Sequence, residues 1–95
     1  MDPEEFRQAI LQKIRLEFGE DVDIDDQKTI HKDYGWIVFY NTKAFLASGD
    51  LMVALMSNAP WLCTWDGECY SLPLHCSVAE GVRILEKELG LTLSE

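Results

Sequence analysis

Apolar side chains recur every three to four residues near the start of the chain, which is the spacing of an amphipathic helix. Asp2 before Pro3 supplies an N-cap with proline at the first helical position, and Gly19 is a natural stop. The sequence therefore predicts a helix over residues 3–18. Its apolar stripe consists of Phe6, Ile10, Leu11, Ile14 and Phe18.

After the helix, apolar and polar residues alternate along the chain. Val22 and Ile24 share one parity and acidic residues take the other, which favours an edge strand that resumes at residues 29–31 after a turn. Residues 36–40 are apolar on both faces, as is typical of a central strand. Asn41 is expected to end it.

Residues 42–57 are rich in apolar side chains, but Gly49 and Asp50 interrupt them. We expect a short turn or helix there, followed by a second short element that packs on the sheet. Asn58-Ala59-Pro60 then predicts a turn, because proline biases the preceding residue toward extended geometry.

Residues 61–64 and 68–72 flank a glycine-containing turn and predict a hairpin. A two-residue turn would place Cys63 and Cys69 on opposite faces. A three-residue loop that ends with Gly67 in the left-handed region would place them directly opposite each other. The sequence favours the second register and leaves the first open.

A final helix is predicted from its caps. Ser77 can act as N-cap with Glu80 three residues later, and Gly90 is the stop. Its apolar stripe consists of Val78, Val82, Leu85 and Leu89.

The order of elements predicts an α+β fold. We expect one N-terminal and one C-terminal helix packed on one face of a roughly four-stranded, mainly antiparallel sheet. The 95 residues suit a single domain, 1–95.

The net charge is −9, with eight Lys and Arg against seventeen Asp and Glu. This balance disfavours nucleic acid and anionic membranes, since both need positive charge on the protein. It suits a basic protein partner, although the same charge can serve only to keep a domain soluble.

Three features predict a cytoplasmic protein. No apolar stretch approaches the roughly 20 residues that cross a bilayer. The acidic start MDPEEFRQAI lacks the basic and apolar regions of a secretory signal. Three cysteines do not form a paired framework, as is usual in a reducing compartment.

Several motifs follow one another in the second part of the chain: Gly35-Trp36 opening an aromatic strand, AFLASGD at 44–50, Asn-Ala-Pro at 58–60 and Gly67-Glu68 in the hairpin. In this order and spacing, residues 34–90 resemble the immunity protein 35 family (YrhB-like domain), small bacterial proteins found beside polymorphic toxins. The chain departs from the family's usual pattern at Ser57, where glycine is common.

The resemblance implies an immunity protein that binds and neutralises a cognate toxin or effector, without catalysis and without a cofactor. It also implies that the shared motif residues are structural: Gly35, Trp36, Gly49, Asp50, Asn58, Pro60 and Gly67. We expect a monomer rather than a homodimer. The alternatives are a general protein-binding or chaperone-like domain without a dedicated toxin and, third, a small thiol- or metal-dependent enzyme.

Cys63, Cys69, His75 and Cys76 are the one candidate constellation for a metal or a nucleophile. Structural zinc ligands usually come in pairs two to four residues apart, which these do not. A Cys/His nucleophile also needs a base held within hydrogen-bond reach, and adjacent His75 and Cys76 side chains diverge on an extended chain. We therefore expect no metal site and no catalytic residues.

Two features are candidates for a partner-binding surface. The first is the acidic stretch after Gly19, which could instead protect an edge strand against aggregation. The second is the aromatic hairpin, because Trp and Tyr are frequent interface hot spots. The candidate residues are Asp21, Asp23, Asp25, Asp26, Trp61, Trp65, Asp66 and Tyr70.

Overall fold

The structure, a computed structural model, describes residues 2–56 and 58–91. Within these residues the helices are α1 (Pro3–Phe18), α2 (Lys43–Ser48) and α3 (Val78–Leu89), with a short 3-10 helix at Leu51–Val53. The strands are β1 (Val22–Ile24), β2 (Ile30–Lys32), β3 (Gly35–Val38), β4 (Tyr40–Thr42), β5 (Trp61–Thr64) and β6 (Cys69–Ser71). The fold is α+β, as the order of elements predicts.

The strands form two antiparallel sheets. One has four strands in the order β2-β3-β5-β6, and the other pairs β1 with β4. Strands β3 and β4 are separated only by Phe39, whose carbonyl accepts a hydrogen bond from the Asp25 N–H at 2.8 Å. The single central strand predicted over residues 36–40 is therefore wrong, because it divides at Phe39 between the two sheets. The expected end at Asn41 is also wrong, because Asn41 pairs with Asp23 and the ladder continues to Thr42.

The four-stranded sheet is covered on both faces. Trp36 and Val38 of β3 belong to the cluster around α1, whereas Ile37 between them belongs to the cluster around α3. The expectation that both helices pack on one face is therefore wrong. Successive side chains of a strand point to opposite faces, so a strand that is apolar at every position needs cover on each side.

The first core cluster contains Phe6, Ile10, Leu11, Ile14, Val22, Ile24, Trp36, Val38, Tyr40, Trp61 and Cys63. The second contains Ile37, Leu62, Leu72, Val82 and Leu85. The α1 cluster is the larger, so α1 contributes most to the burial of the central strands.

The hairpin has the three-residue loop that the sequence favours. Cys63 lies directly opposite Cys69, and the Thr64 N–H donates to the Glu68 carbonyl at 2.9 Å. Gly67 has a φ of +92°, a backbone conformation that residues other than glycine rarely adopt.

Gly35 lets β3 and β5 approach closely. A Cβ atom at Gly35 would lie 1.9 Å from the backbone oxygen of Cys63, at a φ of +152°. Gly35 is therefore structural because the backbones of β3 and β5 meet there.

Both long helices have the predicted bounds. In α3 the Glu80 N–H donates to the Ser77 hydroxyl at 3.2 Å, and Gly90 adopts the left-handed conformation after the last turn. At α1 the Asp2 carbonyl accepts from the Phe6 N–H at 2.9 Å, but the Asp2 side chain makes no capping hydrogen bond.

Residues 43–53 contain α2 and the 3-10 helix. The Phe45 N–H donates to the Thr42 hydroxyl at 3.0 Å, Gly49 ends α2 in the left-handed conformation, and Asp50 caps the 3-10 helix. The second short element does not pack as expected, because each of its three side chains is exposed. Ser57 lies outside the described residues.

Candidate partner-binding surface

Two of the four candidate aspartates in the acidic stretch after Gly19 are held by Arg7 of α1. The guanidinium donates to both carboxylate oxygens of Asp26, from Nε at 2.9 Å and from Nη2 at 3.0 Å, and Nη2 lies 3.3 Å from Asp23. The hydrogen bond to Asp26 raises the pKa of Arg7. These carboxylates are therefore partly neutralised and hold the 25–29 loop against α1.

Asp21 and Asp25 are placed differently. Within residues 2–56 and 58–91, neither carboxylate has a Lys or Arg within ion-pair distance. Asp21 is exposed and Asp25 is half-buried. Of the candidate aspartates on β1 and the following loop, Asp21 is the most available to a partner.

Trp65 folds back from the hairpin onto the core. Its ring centroid lies 4.5 Å from that of Phe6 and 6.2 Å from that of Trp36. Its indole Nε1 donates to the Asp33 carbonyl at 2.7 Å, which ties the hairpin loop to the turn between β2 and β3. The side chain remains 39% exposed, so one edge is open to a partner.

Trp61 and Tyr70 lie on opposite faces of the hairpin. Trp61 is only 8% exposed and packs in the α1 cluster, with its ring 5.7 Å from that of Tyr40. Tyr70 is half-buried and packs against the α3 cluster. The expectation that both rings share one binding surface is therefore corrected, and Trp61 is a core residue.

Asp66 occupies the exposed tip of the hairpin. It accepts hydrogen bonds from the Thr64 hydroxyl and from the Glu68 N–H, the latter at 3.2 Å. The bond from Thr64, followed by that from Glu68, lowers the pKa of Asp66. Its charge is therefore retained at physiological pH and fixes the loop while facing solvent.

The candidate thiols lie in two places, the hairpin and the segment before α3. Cys63 is fully buried, and its hydrogen bond with Cys69, together with burial, raises the pKa of its thiol, whereas the same hydrogen bond lowers the pKa of the half-buried Cys69. His75 is exposed and Cys76 half-buried in the segment before α3. Among the described residues, no three His, Cys, Asp or Glu side chains converge in a way that could hold a metal ion.

The sequence does not predict that the carboxylate of Glu86 on α3 is buried. Glu86 is 4% exposed, accepts a hydrogen bond from the Tyr34 hydroxyl, and lies 3.5 Å from the Lys32 ammonium. Its position on the helix face beside Leu85 is the only sequence signal, and the partners are more than 50 residues away. This contact joins α3 to the β2–β3 turn.

The sequence also missed an exposed apolar segment, residues 51–56. Its exposed side chains are Leu51 at 69%, Met52 at 90%, Val53 at 41% and Met56 at 73%. The sequence does contain an indication of this exposure, because these apolar residues follow Gly49-Asp50 without a helical or strand period. Their apolar character alone favours the expectation that they pack on the sheet.

The candidate residues thus divide among three places rather than one. Asp23 and Asp26 meet α1 through Arg7, Trp65 and Asp66 form the hairpin loop, and Tyr70 lies on the α3 side.

No helix in the described part of the chain has the length and apolar character to traverse a lipid bilayer.

Comparison with protein families gives one match. The model of the family described as Immunity protein 35 matches residues 8–81 of the 95-residue chain. The match extends the resemblance back from residue 34 into α1. Searches among curated proteins and among solved structures found no match. Because the family model covers most of the fold described above, the chain belongs to the immunity protein 35 family.

Proposed function

We propose that this domain is an immunity protein that neutralises a cognate bacterial toxin by binding it directly. The observation that carries the proposal is the family match over residues 8–81. The domain acts without catalysis or a cofactor, since a protein that covers a toxin needs a firm scaffold and a complementary surface. The scaffold here is a sheet with a helix packed on each face.

The toxin presents a basic surface to this domain. A net charge of −9 speeds encounter with a positively charged partner and disfavours partners of like charge. Exposed Asp21 and Asp66 supply negative charge at two separate places. Asp25 and the open edges of Trp65 and Tyr70 are secondary contacts, whereas Asp23 and Asp26 contribute through the loop that Arg7 holds.

The domain works as a monomer in the cytoplasm of the cell that makes the toxin. The acidic surface supports this, because two identical acidic copies repel each other. A toxin that is neutralised before export, or on entry into a sister cell, would meet its immunity protein there.

The experiment is co-expression with a candidate toxin from the genes that flank this one, since members of the family are found beside polymorphic toxins. Cells that express the toxin alone stop growing, and we expect co-expression of this domain to restore growth. A pull-down with the purified domain as bait, at low and at high salt, should recover that toxin from the same cells. Restored growth without a stable complex, or recovery of many unrelated proteins, contradicts the proposal and supports a general protein-binding domain.

A further inference from the structure

The apolar segment, residues 51–56, exposes more apolar surface than folding requires. The consecutive residues Leu51, Met52 and Val53 are 69%, 90% and 41% exposed, and Met56, three residues further on, is 73% exposed. Single exposed apolar residues are ordinary, but a contiguous group is typical of an interaction site. The surface therefore needs an explanation beyond the fold.

The segment is fixed in this exposed position by β4. The Thr42 hydroxyl donates to the Val53 carbonyl at 2.7 Å, and the Leu55 N–H donates to the Asn41 side-chain oxygen at 2.7 Å. The Leu55 side chain packs against the α1 cluster. A segment held in this way loses little further conformational entropy when a partner binds, which favours affinity.

Acidic residues lie near the apolar segment at both ends of α2, beside the exposed Lys43. Asp50 directly precedes Leu51 and is exposed. At the other end, the Lys43 N–H donates to the Asp21 carbonyl at 2.7 Å, next to the Thr42 that bonds Val53. Apolar side chains at the centre with charges at the edge are the usual arrangement of a protein interface.

We propose that the apolar segment, with Asp21 and Asp50 at its border, is the surface on which the cognate toxin docks. The toxin offers an apolar cleft bordered by Lys or Arg. This inference rests on the proposed function and gives the chemistry of the partner. A second copy of this chain fits poorly, because it would bring the same acidic border against itself. Methionine side chains adapt to the shape of the cleft.

The test uses calorimetry to compare how four forms of this protein bind the purified product of the flanking gene whose toxicity this protein suppresses on co-expression. Met52→Ser combined with Met56→Ser removes the apolar centre and should weaken binding about 30-fold or more, the effect of one hot-spot side chain. Asp21→Lys should mainly slow association. Leu16→Ser is the matched control, since Leu16 is 88% exposed on α1 and should bind as the unchanged protein does.

The outcomes separate this inference from the proposed function. If the unchanged protein binds and the double serine variant binds equally well, the docking surface is elsewhere while the immunity function stands. If the unchanged protein does not bind its toxin, both fail. Circular dichroism and unfolding curves must show that all variants are folded, as expected for exposed positions. Sedimentation tests the other occupant: a dimer that the double serine variant abolishes would overturn the proposal in favour of self-association.

Discussion

At the scale of single residues, the contact between Gly35 and β5 sets the spacing of the two central strands. A Cβ at this position would lie 1.9 Å from the Cys63 carbonyl oxygen, and neither backbone can move without breaking the sheet. The sequence marked Gly35 as a motif residue, but a contact with a residue 28 positions later cannot be read from local pattern.

Gly35→Ala should destabilise the domain by about 3 kcal/mol or more, through overlap with Cys63 and a strained φ. Gly49→Ala is the control, since Gly49 has a φ of +74° with no atom within 4 Å of the added Cβ. It should cost only about 1–2 kcal/mol. Urea unfolding measures both, and equal losses would show that the close approach has no effect beyond backbone strain.

The titration of Tyr40 should make the domain less stable at alkaline pH. Burial, and then the nearby Glu17 carboxylate, raise its pKa to about 12, and its hydroxyl donates to the Ala59 carbonyl at 2.7 Å. An unfolded tyrosine titrates near pH 10, so from about pH 10 to 12 the unfolded chain holds fewer protons than the folded one. The free energy of unfolding therefore falls as pH rises, by up to about 2–3 kcal/mol from this residue.

The measurement is urea unfolding between pH 8 and 12 for the unchanged protein and for Tyr40→Phe. The variant loses a hydrogen bond and starts less stable, but its stability should decline less steeply above pH 10. Parallel declines for the two proteins would show that Tyr40 does not titrate as its surroundings imply.

The acidic candidates show why charge at the residue scale is hard to interpret from sequence. Asp21, Asp23, Asp25 and Asp26 look equivalent in the chain, yet Arg7 engages two of them. Arg7 lies at least 16 residues away on another element, so only the fold reveals that these two carboxylates stabilise a loop.

At the scale of elements, the hairpin loop is attached to the rest of the fold at three points. The Trp65 N–H donates to the Tyr34 carbonyl at 3.0 Å, its indole donates to Asp33, and the Lys13 ammonium donates to the Gly67 carbonyl. The hairpin therefore contacts both α1 and the β2–β3 turn, and its tip is part of the scaffold.

Trp65→Ala should destabilise the domain by about 2 kcal/mol, because it removes ring contacts with Phe6 and Trp36 as well as a hydrogen bond. Trp65→Phe should cost about 1 kcal/mol, since a ring remains and only the donor is lost. Thermal unfolding distinguishes the two. If Trp65→Ala leaves stability unchanged while toxin binding is lost, Trp65 is an interface residue and its packing is incidental.

The helices were predictable because their ends and stripes are local. Caps at Ser77 and Gly90 and an apolar period predict α3, whereas the sequence only favours the three-residue hairpin loop and leaves the two-residue turn open. Residues 36–38 are apolar at every position, which requires cover on both faces of the sheet. Element order alone does not say on which face of a sheet a helix packs, so the prediction that both helices share one face is wrong.

The apolar segment shows a limit of composition as a guide. Leucine, methionine and valine at residues 51–56 suggest burial, and only Leu55 packs inward. Exposure here depends on hydrogen bonds from β4, which the sequence does not indicate. Exposed apolar residues therefore go unrecognised when they stand next to core segments of the same composition.

At the scale of the whole molecule, the charge governs encounter. A domain with a net charge of −9 should associate with a basic toxin at a rate that falls about tenfold or more between low and high salt, while dissociation changes less. Stopped-flow measurements at several salt concentrations test this. An association rate that does not change with salt would show that the acidic surface serves solubility and not recognition.

The most direct test titrates this protein into the purified product of the flanking gene whose toxicity it suppresses on co-expression. We predict a 1:1 complex with a dissociation constant of about 10⁻⁹ M or tighter, and loss of toxin activity that is complete at equal concentrations. Toxin activity that persists in the presence of a large excess of this protein would contradict neutralisation by binding.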